Sequence, residues 1–261
     1  KSGDLEVKRQ ATWGMSEQAI ITRRGTMTGA KGIILVMQNS KPGREQEHID
    51  WYVRHHVKDV SGIQGTVRGE YTRLANPQGT ERWNKAACYW TAGDPLPVLA
   101  ETMQNVGAGV WDMSGADALD RDTVRLTTGL ALTDRIRSPH GEDAIGQDRV
   151  LFIVMTNCTP GDDDAFNAWY NDRHIPDVLD VPGFVAAQRF RFIDPPNFKP
   201  APYQYLALYE IRADEADSAL AELTARAGTD RMVLSPTLDT ADVHAGVFAV
   251  LATCEGASAK S

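Results

Sequence analysis

FNAWYNDRHIPDVLDVPGFVAAQRF, residues 166–190, reads as a helix, a stop, a short turn and a strand. Asp162 or Asp163 can cap the helix, and Asp162, Asp163 and Asp164 set negative charge at its positive end. Pro176 disfavours helical geometry at Ile175, so the helix is predicted to end near His174. Phe166, Tyr170 and His174 lie at i, i+4 and i+8 and share one face. Asp177 follows three residues later and reaches the imidazole if the chain turns there. After Pro182-Gly183 the pattern alternates. Phe184, Ala186, Gln188, Phe190 and Phe192 point one way; Val185, Ala187, Arg189 and Arg191 point the other. The helix face with Trp169, Tyr170 and His174 is predicted to meet the strand face with Phe184, Gln188 and Phe190, so that the two line a cleft.

The same stretch occurs earlier at a constant offset of 118 positions, without gaps. Trp51-Tyr52 matches Trp169-Tyr170, His56 matches His174, Asp59 matches Asp177, and Gly65 matches Gly183. The preceding strands match too, GIILVMQN at 32–39 and VLFIVMTN at 150–157. A period this long makes each copy domain-sized rather than a solenoid unit. Both first strands are almost continuously apolar, which predicts burial on both faces.

Strand, Pro-Gly, helix with Trp-Tyr and His-Ile-Pro, then Pro-Gly before a strand: this order resembles the EthD-like members of the dimeric α+β barrel superfamily. The resemblance covers 31–133 and 147–253, and the first copy departs from it with Val57-Lys58 in place of Ile175-Pro176. It implies an α+β fold of two tandem ferredoxin-like βαββαβ units, forming an intramolecular dimeric α+β barrel with helices outside. It also implies a cofactor-free isomerase, cyclase, lyase or monooxygenase acting on small hydrophobic or aromatic compounds. Some members bind haem, and many have no known activity.

The rest of the chain fits that frame. Residues 1–30 are a polar arm, 31–133 the first repeat, 134–147 a polar linker with Pro and Gly, 148–253 the second repeat, and 254–261 a loose tail. Strands are predicted at 85–90, 203–211, 124–133 and 243–253. Helices are predicted after Asp94-Pro95 and from Asp214 to about Ala227. With 35 acids against 27 bases the net charge is -8, and no dense basic cluster points to nucleic acid. No apolar run approaches a membrane span and no signal-peptide pattern opens the chain. Three scattered cysteines read as reduced thiols in a cytoplasmic protein and show no zinc spacing. No dinucleotide, phosphate-loop or nucleophile-elbow motif is present.

Chemistry is expected from the histidine faces. His174 can move protons, Tyr170 can donate to an oxygen, and Asp177 can fix the imidazole tautomer. In the first copy His56, Tyr52 and Glu70 are the matching acid–base candidates, with Arg68 and Glu70 expected to face the cleft. Substrate contacts are expected from Gln188, Arg68, Asn39, Asn157, Phe184, Phe190, Trp169 and Trp51. A helix-capping role for the histidines and a turn role for Asp177, Asn39 and Asn157 are the structural alternatives. The reading is a cofactor-independent acid–base enzyme of the lyase or isomerase type on a small, largely apolar compound, an aromatic one being the first expectation, with no metal and no cofactor. Its rivals are a haem-dependent lyase, a cofactor-free monooxygenase, and a non-catalytic small-molecule binding protein. The doubled unit permits a monomer, and a homodimer could form through the arm.

Overall fold

Near-continuous apolar runs favour strands covered on both faces, and both runs become such strands. The computed structural model describes residues 30–77, 79, 81–140 and 148–260; the predicted arm lies outside them except for Ala30. β1 (Gly32–Ser40) leads to α1, which consists of Glu45–Trp51, a π-turn Tyr52–His56 and Val57–Ser61. Then come β2 (Thr66–Leu74), β3 (Lys85–Thr91), α2 (Leu96–Gly107), β4 (Leu119–Ala131) and the short β5 (Ile136–Arg137). The order recurs as β6 (Arg149–Cys158), α3 (Asp163–Trp169, π-turn Tyr170–His174, Ile175–Leu179), β7 (Phe184–Ile193), β8 (Tyr205–Arg212), α4 (Ala216–Arg226) and β9 (Leu238–Glu255).

The strands run in the order β4-β1-β3-β2-β9-β6-β8-β7, and β7 pairs back onto β4. Among the described residues every pairing between these strands is antiparallel, including the two joins, Arg68–Leu74 against Phe248–Glu255 and Thr128–Ala131 against Phe190–Ile193. The result is a mixed α+β fold on one large antiparallel sheet closed into a barrel. Ile33, Leu35, Met37, Leu151, Ile153 and Met155 point into the barrel and pack with Trp83, Trp90, Phe190 and Phe248. Ile34 packs outward beneath α1, and Val150 beneath the helices of the second half.

The structure corrects three local expectations. The helix does not end at His174; it continues through the π-turn to Leu179, with Ile175 helical at φ -58° and ψ -51°. Pro176 is not the cause of that turn, because α1 makes the same turn with Lys58 at the matching place. Neither Asp162 nor Asp163 caps α3 through its side chain; Asp163 accepts from Tyr205 Oη at 2.5 Å instead. The alternation in β7 is also broken. The register against β8 shifts between Phe184 and Ala186, as it does in β2 between Thr66 and Arg68. One extra residue, Val185 or Val67, makes a bulge and inverts the side-chain facing beyond it. Phe184 therefore packs on the helix side with Val150 and Tyr209, while Phe190 lies in the barrel.

Gly65 and Gly183, just before the bulges, have φ of +101° and +91°, a conformation glycine adopts without steric cost. The tail is held: Ser258 Oγ accepts from the Gly65 N–H at 2.8 Å. Of the predicted linker, 136–137 pair with Ala186 and Ala187 of β7. Among the described residues no helix is long and apolar enough to cross a membrane.

Candidate functional site

Residues five apart in an α-helix sit about 140° apart around the axis. A π-turn closes its hydrogen bonds from i to i+5 and brings such residues over one another. Both π-turns use this. Trp51 and His56 stack with ring centroids 5.0 Å apart at 21°, and Trp169 and His174 at 4.8 Å and 26°. The tyrosine beside each completes a triad edge-on, Tyr52–His56 at 4.9 Å and 83° and Tyr170–His174 at 4.7 Å and 81°. Nδ1 of His56 and of His174 is buried without a hydrogen-bond partner. Burial pulls both imidazoles down to about 4, and beside His174 the charge of Arg189 adds to the shift. Both rings are therefore neutral at pH 7.

Beneath α3 the polar surroundings form a chain. Arg189 of β7 is fully buried. Its Nη1 donates to Asn171 Oδ1 at 2.5 Å and its Nη2 to Asn167 Oδ1 at 3.0 Å. The guanidinium lies 4.0 Å from the Tyr170 ring centroid. Tyr209 Oη donates to Tyr170 Oη at 3.3 Å, and Asn167 Nδ2 donates to Tyr205 Oη at 3.1 Å. Among the described residues no carboxylate pairs with Arg189, and its Nε is buried without a partner.

Beneath α1 the matching place is aromatic. Tyr71 occupies the position of Arg189 and stacks on Tyr52 at 4.0 Å and 9°. His48 is fully buried, with Nδ1 2.8 Å from Ser40 Oγ and Nε2 unpartnered. Burial, reinforced by the charge of Lys85, pulls its imidazole to about 4. Burial pushes the Tyr52 phenol up to about 12 and that of Tyr71 well above its ordinary value.

A loop covers each triad. Trp51 Nε1 donates to the Asp112 carbonyl at 2.7 Å, and Trp169 Nε1 to the Val233 carbonyl at 3.1 Å. Val110, Val233 and Leu234 on these loops are exposed at 67%, 48% and 46%, so the covers carry apolar surface in water.

The other expected residues divide between the two faces of the sheet. Arg68, Glu70 and Gln188 do not reach the helices. Beyond the bulges they point into the barrel, where Glu70 meets Arg149 and Gln188 Nε2 donates to the carbonyls of Ala30 and Thr133 at 3.1 and 3.2 Å. Asp177 accepts from Arg173 Nε at 2.7 Å rather than meeting His174. Asn39 is engaged by the Arg82 carbonyl and the Asn84 N–H, and Asn157 by the Gln204 N–H. Arg189, Tyr209, Tyr71 and Tyr89 join the helix-side clusters unforeseen; the bulges at Val185 and Val67 account for the facing of Arg189 and Tyr71, and no residue at either bulge marks it in the sequence. Among the described residues no group of three or more side chains is arranged for a metal ion.

No family model matches the sequence, and no curated protein does. The fold is similar to solved structures. A structure described as an anthrone oxidase-like protein matches with a TM-score of 0.59 at 12% identity, over 87% of this chain and 94% of that one. A candidate monooxygenase from Fusobacterium nucleatum subsp. nucleatum ATCC 25586 matches with a TM-score of 0.55 at 8% identity, over 87% and 95%. Another, from Lactobacillus acidophilus NCFM, gives 0.53 at 8%, over 87% and 96%. These similarities show the fold alone, a mixed α+β fold with a large antiparallel sheet. The expected lyase or isomerase does not stand: the names on these barrels are those of an oxidase and of monooxygenases.

Proposed function

We propose that the chain is a cofactor-free oxygenase acting on an electron-rich aromatic compound held beneath α3. The observation that carries this reading is Arg189, a buried cation with no carboxylate partner among the described residues, next to the neutral imidazole of His174. A buried charge held by neutral groups is costly in the resting protein. It repays that cost where negative charge develops. A base as weak as His174 requires an acidic C–H, such as a methylene between an aryl ring and a conjugated carbonyl system. His174 takes that proton, Arg189 faces the resulting carbanion, and the carbanion gives its electrons to dioxygen. The balance is CH2 + O2 → C=O + H2O: the carbon loses four electrons, one oxygen atom stays on carbon and the other leaves as water. No external reductant is needed. The names of the similar structures favour this chemistry.

In the same reading the two halves are tandem ferredoxin-like units, 31–133 and 148–253, of the EthD-like kind, and the barrel is an internal dimer. The internal repeat and the matching π-turns support this. The cleft at Tyr52 and His56 is then a second, uncharged site with its own ligand preference. The Trp169–Val233 loop is the entrance.

Oxygen uptake with anthrone as substrate tests the function. The metal-free, flavin-free protein should consume one O2 per ketone formed, and 18O2 should place one labelled atom in the product. His174→Ala should lower turnover by about 10²- to 10⁴-fold with the circular dichroism unchanged. Turnover that appears only after haemin is added, with a new Soret band, would assign the chemistry to haem instead. Unchanged turnover in His174→Ala would remove the histidine from it.

A further inference from the structure

At the barrel end where β1 begins, the interior is charged. Arg135 holds Glu210 through Nε to Oε1 and Nη2 to Oε2, both at 2.9 Å. Arg149 Nη2 donates to Glu70 Oε1, and its Nε lies 3.6 Å from Glu210 Oε2. Arg68 Nε lies 3.1 Å from the same Glu70 oxygen. The Arg68 guanidinium sits 4.2 Å over the Trp90 ring. The side chains of Glu70 and Arg149 are 0% and 1% exposed, and that of Arg68 is 14% exposed, so Arg68 is the most accessible of the three.

The hydrogen bonds here do not close. A guanidinium has five N–H donors and an ionised carboxylate accepts through both oxygens. Arg149 Nη1, Arg68 Nη2 and Glu70 Oε2 are buried without a hydrogen-bond partner, and Arg68 Nε, though close to Glu70 Oε1, makes no hydrogen bond to it. Each such group forfeits its hydration unless something else satisfies it. They are not scattered: both arginines contact Glu70 Oε1, so the free donors and the free acceptor gather round one carboxylate. A group that satisfies all of them must offer anionic lone pairs to two guanidiniums and one O–H to Glu70 Oε2.

We propose that this end of the barrel binds a small oxyanion that still carries a proton, of the bicarbonate or hydrogen phosphate kind. Its oxygens accept from Arg149 and Arg68, and its hydroxyl donates to Glu70. Acetate matches the arginines but has no proton for Glu70, and chloride has neither the shape nor the proton. The site lies on the opposite face of the sheet from the His174 cluster and does not depend on the oxygenase reading.

Thermal melting and calorimetry of the whole chain, at constant ionic strength set with sodium chloride, test it. Inorganic phosphate or bicarbonate should raise Tm saturably, and acetate should raise it less. Arg68→Met keeps an apolar stem against Trp90 and should weaken phosphate binding by about tenfold or more, the loss expected for a charge-assisted hydrogen bond. Arg68→Lys should fall between. If chloride alone reproduces the shift, or Arg68→Met binds phosphate as the wild type does, the proposal is wrong and these groups are hydrated by water. If Arg68→Met fails to fold, the ranking of phosphate, bicarbonate, acetate and chloride on the wild type decides.

Discussion

Arg189 stands over the ring of Tyr170, 4.0 Å from its centroid, where the other half of the chain stacks Tyr71 on Tyr52 at the same distance. One position thus holds a cation on one side of the barrel and a phenol on the other.

That cation should be felt by His174. Burial is the larger cause of its lowered basicity and Arg189 the second, so Arg189→Met should raise the His174 pKa and leave it below that of a solvated histidine. Titration of the imidazole by NMR reads this without any substrate. His56, which has no arginine among the causes of its shift, should not move.

The histidines also set a pH window for stability. His48, His56 and His174 are held near 4 in the fold, against about 6.5 in an unfolded chain. The unfolded state therefore binds their protons first, and stability falls as pH drops from about 6.5 towards 4 and is flat above. Fully buried His48 alone carries on the order of 3 kcal/mol across that window. Urea midpoints at pH 7, 5.5 and 4.5 measure the slope, and His48→Gln should flatten it. Equal slopes in both proteins would refute the assignment.

Gly183 should resist replacement. Its φ is +91°, and a Cβ there would come 3.0 Å from Ala219 Cβ. Gly183→Ala should cost about 1–2 kcal/mol from the left-handed backbone alone, more with the contact. Gly43, at φ +76° but with open space around it, is the control for strain without crowding.

The barrel charges should behave as a unit. Glu70→Gln leaves Arg149 buried beside a neutral amide and should cost about 3–5 kcal/mol, whereas Glu70→Leu with Arg149→Met should cost much less. Denaturant curves for the two variants decide, and a double variant that loses as much stability as Glu70→Gln, or more, would mean that the charges do not act as a unit.

What the sequence showed best was repetition. The offset between His56 and His174 carried over to the π-turns, the bulges and the Trp–His stacks, because each depends on local residue order. The apolar runs at 33–37 and 150–155 announced strands buried on both faces for a similar reason: hydrophobicity is read residue by residue. The facing of Gln188 and Arg189 was not legible. A bulge changes the parity of a strand by one residue, and neither Val185 nor Val67 differs from any other strand valine. The π-turns were hidden as well, since Pro176 pointed to a helix end that α1 shows to be unrelated to proline. The result was a cleft predicted with Gln188 and Glu70 in it, when Arg189 and Tyr71 are the residues beneath the helices.

Closure of the sheet has a last consequence. The halves are joined edge to edge along β2–β9 and β4–β7, so neither half retains a complete set of strand partners without the other. Polypeptide cut between His140 and Asp148 would leave two fragments, each with two bare edges that match only the other fragment. Such fragments should reassemble when mixed and aggregate when kept apart.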